Sequence, residues 1–212
     1  KNQYFTADKE RRVCTSLGVC DPFRFEELPE IETDVYHFAG LVYGDFDGEL
    51  LEEAARHGKV ALDVQCMLRH VEADGSMQFH DWAEKKKYLP MIHYLKTDAA
   101  EAEILTGLTD RAEAAKKLYG WGAKEIVITH NTEVLAYDGN KIYTCPIKAR
   151  NLSGRTGRGD TTFAGYIAAR QKESVEDALL YCTALVSLKM ETPGPFKGTK
   201  KDVLEYIHEF YK

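Results

Sequence analysis

Asn151-Leu152-Ser153-Gly154-Arg155-Thr156-Gly157-Arg158-Gly159-Asp160-Thr161-Thr162-Phe163-Ala164-Gly165 sets three glycines, two arginines and one acid ahead of a run of small and apolar residues. Glycine lets a backbone turn sharply and approach a ligand closely. The run that follows predicts a helix, so the glycine loop opens a helix N-terminus, where free N–H groups and the macrodipole favour an anion. The first expectation is a phosphate site with a carboxylate beside it.

Two phosphate-binding patterns fail here. Gly154, Gly159 and Thr161 match the spacing of a P-loop, but Asp160 stands where that loop has its lysine, and a carboxylate would repel the phosphate oxygens a lysine clamps. A dinucleotide fingerprint needs another glycine spacing and a place early in a βαβ unit. What remains is a loop whose N–H groups hold phosphoryl charge while Asp160 takes a proton from an attacking hydroxyl, which is general-base phosphoryl transfer. The plainer reading makes Asp160 a helix N-cap and the glycines a surface turn.

Working outward, residues 35–43 predict a strand ending at Gly44, 46–57 a helix stopped by Gly58, and 60–64 a short buried strand. Residues 81–89 look helical up to Pro90, and 91–95 form another strand. Helices follow at 98–105, closed by Gly107, and at 110–119, capped by Thr109 or Asp110. Glu125 to Thr129 is a β run, and 134–137 and 141–147 form a hairpin whose turn is supplied by Asp138-Gly139 or Gly139-Asn140. Helices at 160–171, 175–190 and 199–211 complete the chain, the last two separated by Pro193-Gly194-Pro195. Lys9-Glu10-Arg11-Arg12 reads as a solvated helix face. Strands alternating with helices predict an α/β fold with a mostly parallel central sheet and helices on both faces. No linker or repeat divides the chain, so one domain is expected over 1–212. Ligands of such sheets bind beyond the C-terminal strand ends. That singles out Asp63, Lys96 to Asp98, and Thr129-His130.

Composition narrows the class. The 212 residues carry a formal charge of −6, with 44% hydrophobic and 29% charged residues, and the isoelectric point is near 5.7. No basic patch recommends nucleic acid as a partner, and no apolar run approaches the roughly 20 residues of a membrane helix. Five cysteines without a CxxC predict reduced thiols, a cytoplasmic setting and no zinc site. The seven histidines lack ligand spacing and read as ordinary surface or packing residues. Lys96 is read as a strand-end surface lysine or a phosphate contact, and Asp63 as a residue that faces substrate. Val186 to Met190 either lines an adenine pocket or packs in the core.

The loop Gly157-Arg158-Gly159-Asp160-Thr161-Thr162-Phe163-Ala164-Gly165 resembles the second signature of the ribokinase/PfkB family of carbohydrate kinases, an Asp-Thr-x-Gly-Ala-Gly-Asp loop followed by a small-residue helix. Asp98-Ala99-Ala100-Glu101, running on to Leu105-Thr106-Gly107, is similar to that family's Asn-x-x-Glu stretch. Leu62-Asp63-Val64-Gln65 and Arg69 resemble a segment of one branch. The resemblance implies a ribokinase-like fold and transfer of the γ-phosphoryl of ATP to a hydroxyl of a sugar or nucleoside-like molecule. It assigns Asp160 as base and the amides of Gly157, Arg158, Gly159 and Asp160 as the anion hole. It puts Mg²⁺ and its water shell at Glu101, and nucleotide phosphates near Lys96, Asp98 and Thr129. Read from the residues themselves, Asp63 at a strand end and the Arg155 guanidinium are candidate substrate contacts, and a homodimer is one expected assembly.

Several positions depart from the family pattern. Asp98 replaces an Asn, Gly154 an Asp tied in some members to monovalent cations, and Arg158 a small Ala; Arg155 is likewise unusual. Either guanidinium could pair with a phosphate or carboxylate. The family's Gly-Gly sugar motif and β lid are not found here, so the chain is expected to be the C-terminal, nucleotide-binding part of a longer kinase or a natural short form. The alternative function is a non-catalytic nucleotide-binding or regulatory protein on the same fold.

Overall fold

The computed structural model describes residues 2–4, 12–29 and 32–212. One domain was expected; the chain divides into two compact units, Lys1–Ile126 and Val127–Lys212. The division falls inside a strand, where no linker composition marks it.

The first unit opens with a short antiparallel pair, β1 (Asn2–Tyr4) and β2 (Arg12–Cys14). The charged run expected as a helix face therefore ends in a strand at Arg12, and Lys9 to Arg11 lie outside the described residues. Then come β3 (Val35–Phe38), α1 (Gly48–His57) and β4 (Lys59–Asp63). β3 is shorter than the strand expected to Tyr43, because the chain turns after it. The Asp45 carboxylate accepts the N–H groups of Leu41 and Val42 and holds that turn. Helix α1 starts where Asp47 caps the Leu50 N–H at 3.0 Å, and it buries Leu50, Leu51 and Ala54.

A one-turn helix α2 (Gln65–Leu68) leads into an antiparallel hairpin, β5 (Arg69–Val71) and β6 (Met77–Phe79). The turn uses Asp74-Gly75, with Gly75 at φ +81° and the Ser76 N–H on Asp74 at 2.8 Å. It is the same dipeptide that announced the later hairpin, and here it was overlooked. The helix expected over 81–89 contracts to α3 (Lys85–Tyr88), followed by a 3₁₀ turn through Pro90. Strand β7 (Ile92–Asp98) is longer than expected and runs straight into α4 (Ala99–Thr106), which Gly107 ends at φ +72°. Helix α5 (Arg111–Gly120) is capped by Asp110, which accepts from the Glu113 N–H at 2.9 Å. Strands β3, β4 and β7 pair in that order, all parallel. β4 is buried from Val60 to Asp63, as suits a strand of a parallel sheet covered on both faces.

β8 (Glu125–Thr129) is fully buried and spans the unit boundary. In the second unit β9 (Glu133–Tyr137) and β10 (Ile142–Pro146) form the expected hairpin, with Asp138 accepting the N–H groups of Asn140 and Lys141. Three helices follow: α6 (Arg158–Arg170), α7 (Val175–Met190) and α8 (Lys200–Phe210). Gly165 brings α6 close to α7, since a Cβ there would meet Leu185 at 2.7 Å and Cys182 at 3.5 Å. Ala184 and Leu185 of α7 pack with Val203, Tyr206 and Ile207 of α8. The fold is α/β with a mostly parallel central sheet. All five cysteines are free, and among the described residues no helix is long and apolar enough to cross a membrane.

Candidate active site

In the first unit, polar residues gather at the C-terminal ends of β4 and β7. Asp63 ends β4 and is paired in parallel register with Lys96 of β7. The two side chains meet: Lys96 Nζ lies 2.9 and 3.1 Å from the Asp63 carboxylate oxygens. Glu101 Oε2 lies 3.8 Å from the same ammonium. Asp98 and Glu101 bind each other as a capping box, the Glu101 N–H on Asp98 at 2.8 Å and the Asp98 N–H on Glu101 at 2.7 Å. The Asp-x-x-Glu spacing thus puts both carboxylates on the first turn of α4.

Lys96 is 4% exposed, which overturns its reading as a surface lysine, and Asp63 is buried as its ion-pair partner. Burial works against the Lys96 ammonium, but the charges of Glu101 and Asp63 more than offset it and raise its pKa. Burial is also the main force on Glu101. It pushes that carboxyl up to about 7, with Asp98 and Asp63 adding to the rise and Lys96 opposing it. One ammonium among three carboxylates leaves the cluster negative, so its field suits a further cation. Mg²⁺ commonly keeps several waters and binds through one or two carboxylates plus phosphates. Among the described residues no group of three or more His, Cys, Asp or Glu side chains could hold a metal ion.

In the second unit the glycine loop is anchored from below. Gly154 is buried, its N–H donates to Met190 O at 2.7 Å, and a Cβ at this position would sit 1.8 Å from Thr192 O. No side chain fits there, which accounts for glycine where the resembled pattern carries an acid. Lys189 of α7, 3% exposed, donates to the carbonyls of Gly154 and Thr156. Burial lowers its pKa, and the charge of Asp160 opposes that shift. The sequence reading placed Lys189 only within Val186 to Met190, as adenine pocket or core, and not under the loop; the available signal was one charged residue in an apolar helical run.

Helix α6 starts two residues earlier than expected. Gly157, at φ +81° and ψ +16°, is its N-cap, and Asp160 is the third helical residue. The reading of Asp160 as N-cap is therefore corrected: its carboxylate is exposed in the first turn, in the field of Lys189. Of the four amides expected to form an anion hole, one is already engaged within the loop. The Arg158 N–H turns back to Arg155 O at 3.2 Å, while the N–H groups of Gly159 and Asp160 find no acceptor among the described residues. Arg155 Nη2 and Arg158 Nη1 both donate to Asn131 Oδ1, at 2.7 and 2.8 Å. Thr129, two residues before Asn131, is 2% exposed at the end of β8. Within its own unit, each set of expected residues is thus brought together: Asp63, Lys96, Asp98 and Glu101 in the first, Arg155 to Asp160 in the second.

A sequence model described as pfkB family carbohydrate kinase matches residues 4–201. The cytidine kinase of Thermococcus kodakarensis is 42% identical over 71 residues, which are 32% of this chain and 26% of that protein. A pyrophosphate-dependent kinase in the ribokinase family, complexed with a pyrophosphate analogue and myo-inositol, is 34% identical with a TM-score of 0.84, over 91% of this chain and 70% of that one. A sulfate complex of a pyrophosphate-dependent kinase in the same family is also 34% identical, with a TM-score of 0.86, over 96% of this chain and 72% of that one. Arabidopsis thaliana ribokinase, complexed with ribose and ATP, is 20% identical with a TM-score of 0.66 and covers 82% of this chain and 55% of its own; it shares the fold.

Proposed function

Because the chain belongs to the pfkB family of carbohydrate kinases and has its ribokinase-like α/β fold, we propose that it transfers a phosphoryl group to a hydroxyl of a small polyhydroxylated acceptor, with Asp160 as general base. The acceptor class is a sugar, cyclic polyol or nucleoside, in keeping with the names of its relatives. Asp160 removes the hydroxyl proton as the acceptor oxygen bonds to phosphorus. The N–H groups of Gly159 and Asp160, at the positive end of α6, stabilise the charge on the transferring phosphoryl oxygens. Lys189 keeps the loop carbonyls turned away, and so the amides turned outward. Mg²⁺, when bound, neutralises charge on the donor phosphates; Glu101, with Asp63 and Asp98 beside it, would hold its water shell. Lys96 is committed to Asp63 and Glu101, so its part is to hold those carboxylates in place.

The donor is a polyphosphate. The sequence expectation was ATP, which the more distant Arabidopsis ribokinase binds. The relatives at 34% identity are named for pyrophosphate, and this favours inorganic pyrophosphate as donor here. The observation that carries the proposal is Asp160, exposed on the first turn of a 13-residue helix beside N–H groups that find no acceptor among the described residues. The test is transfer from pyrophosphate and from ATP to a panel of sugars, inositols and nucleosides. Asp160→Asn is expected to slow transfer by roughly 10²–10⁴-fold while leaving donor affinity nearly unchanged. An Asn variant as fast as the parent removes the base assignment. Donor binding without transfer to any acceptor would mark a non-catalytic binding protein instead.

A further inference from the structure

Two carbonyl oxygens of the glycine loop converge on one point. Lys189 Nζ donates to both the Gly154 and the Thr156 carbonyl, and the lysine is buried although it comes from α7 and not from the loop. A buried charge is costly unless it is paired or well coordinated. An apolar side chain would fill the same space without that cost, so it is the charge that the position calls for. Lys189 Nζ and Asp160 Oδ2 each lie 3.8 Å from the place a Cβ on Gly157 would take, which sets the ammonium at the N-cap of α6 with the Asp160 carboxylate nearby. The charge of Asp160 favours the ammonium form. A compact cation held by main-chain carbonyls near a carboxylate is also what a bound monovalent ion would be. The head of a lysine is such a point charge, on a tether.

The donor set at this point does not fit a free ion. The resembled loop begins with an acid that some members tie to monovalent cations. This chain has Gly154 there, and a Cβ on Gly154 would sit 1.8 Å from Thr192 O, so no carboxylate can take part. The carbonyls, meanwhile, are taken by Lys189. Loss of the acid and gain of a tethered cation are two halves of one change. We propose that the Lys189 ammonium is a built-in monovalent cation of the phosphoryl-transfer loop, so that transfer needs no K⁺ or NH₄⁺, and that removing the side chain opens a seat for such an ion; this rests on the reading of the chain as a phosphoryl-transfer enzyme. A free ion orders its loop only while it is bound. A tethered ammonium is always present, so the loop carbonyls stay turned inward, and the Gly159 and Asp160 N–H groups outward, whatever the salt. Lys189 is thus a positioning residue: it acts on the transferring group through the loop.

The test compares the full chain with Lys189→Ala, which vacates the seat, and Lys189→Met, which keeps it filled by an apolar stem. Transfer rates and thermal melts are read at fixed Mg²⁺ and donor, in chloride salts of K⁺, NH₄⁺, Li⁺ and tetramethylammonium at equal ionic strength. The parent should change its rate less than twofold among the four salts. In tetramethylammonium the alanine variant should lose tenfold or more in rate and melt lower than the parent. K⁺ and NH₄⁺, close to each other in size, should restore much of the rate and raise its Tm, since an ion that binds only the folded chain stabilises it; Li⁺ should do neither. The methionine variant should gain nothing from any of them. A parent that needs K⁺ or NH₄⁺, an alanine variant that these ions help no more than tetramethylammonium does, one that stays unfolded in all four salts, or a methionine variant restored equally well would each overturn the proposal. Failures of the two readings separate. If the parent phosphorylates no acceptor while K⁺ and NH₄⁺ alone raise the Tm of Lys189→Ala, the cation seat stands and the kinase reading falls. If the parent transfers only when K⁺ is supplied, the kinase reading stands and the built-in cation falls.

Discussion

Glu101 is the residue whose protonation most directly links the first unit's cluster to stability. Burial raises its folded pKa to about 7, against an ordinary value of 4.5. An acid whose folded pKa is raised binds its proton more tightly in the folded state. Its contribution is therefore most favourable below pH 4.5, and stability is lost as pH rises from there to about 7, where the folded protein must carry the buried charge. Glu101→Gln removes that charge yet keeps an oxygen able to accept the Asp98 N–H, and it leaves Lys96 paired with Asp63. The variant should match the parent near pH 4.5 and be more stable by on the order of 1–3 kcal/mol at pH 8. Urea melts at both pH values check this, and a gap that is the same at both would show that the buried charge is not what costs. In sequence Glu101 was visible as the fourth residue of Asp-x-x-Glu and Lys96 as a strand-end residue; their joining to Asp63 was not, because strand register and not chain proximity brings Asp63 to Lys96.

At the scale of elements, the anion loop is built on α7 as much as on α6. Residues near each other in sequence follow local rules, so Asp98 and Gly107 at the ends of α4 could be read directly. So could the sharp turn at Gly157. Lys189 could not, because it reaches loop carbonyls 33 and 35 residues back along the chain, a contact that exists only once α7 has packed against α6. The close approach at Gly154 was hidden for the same reason: the Thr192 carbonyl that excludes a side chain lies after α7. Lys189→Met keeps the length and apolar stem of the side chain while leaving two carbonyls without their donor. It should destabilise the protein by roughly 2–3 kcal/mol and lower the transfer rate through a disordered loop, with the Asp160 carboxylate still present. A thermal melt read beside the rate tests this. If stability and rate both stay at the parent's level, the anchor has no role. Lys189→Arg, which retains charge but not shape, should recover part of both.

For the whole molecule, the alternation of strands and helices between 35 and 130 was enough for the α/β class, since each buried strand and capped helix announces itself by period and punctuation. The early hairpins were missed because their strands have only three residues each, too few for alternation to register. The division at Ile126 and Val127 cuts a buried strand and changes nothing in composition, so no signal in the sequence marks it. Donor binding should be felt across this fold. A ligand that binds only the folded chain stabilises it by about 2.7 kcal/mol at a hundred times its Kd, and for about 200 residues each kcal/mol raises Tm by about 2–4 °C. Mg²⁺-pyrophosphate at that concentration should therefore raise Tm by about 5–10 °C. The shift should persist in Asp160→Asn, where the base is gone and the loop N–H groups remain. A parent whose Tm is moved by neither Mg²⁺-pyrophosphate nor Mg²⁺-ATP has no donor site in this chain, and the kinase reading fails with it.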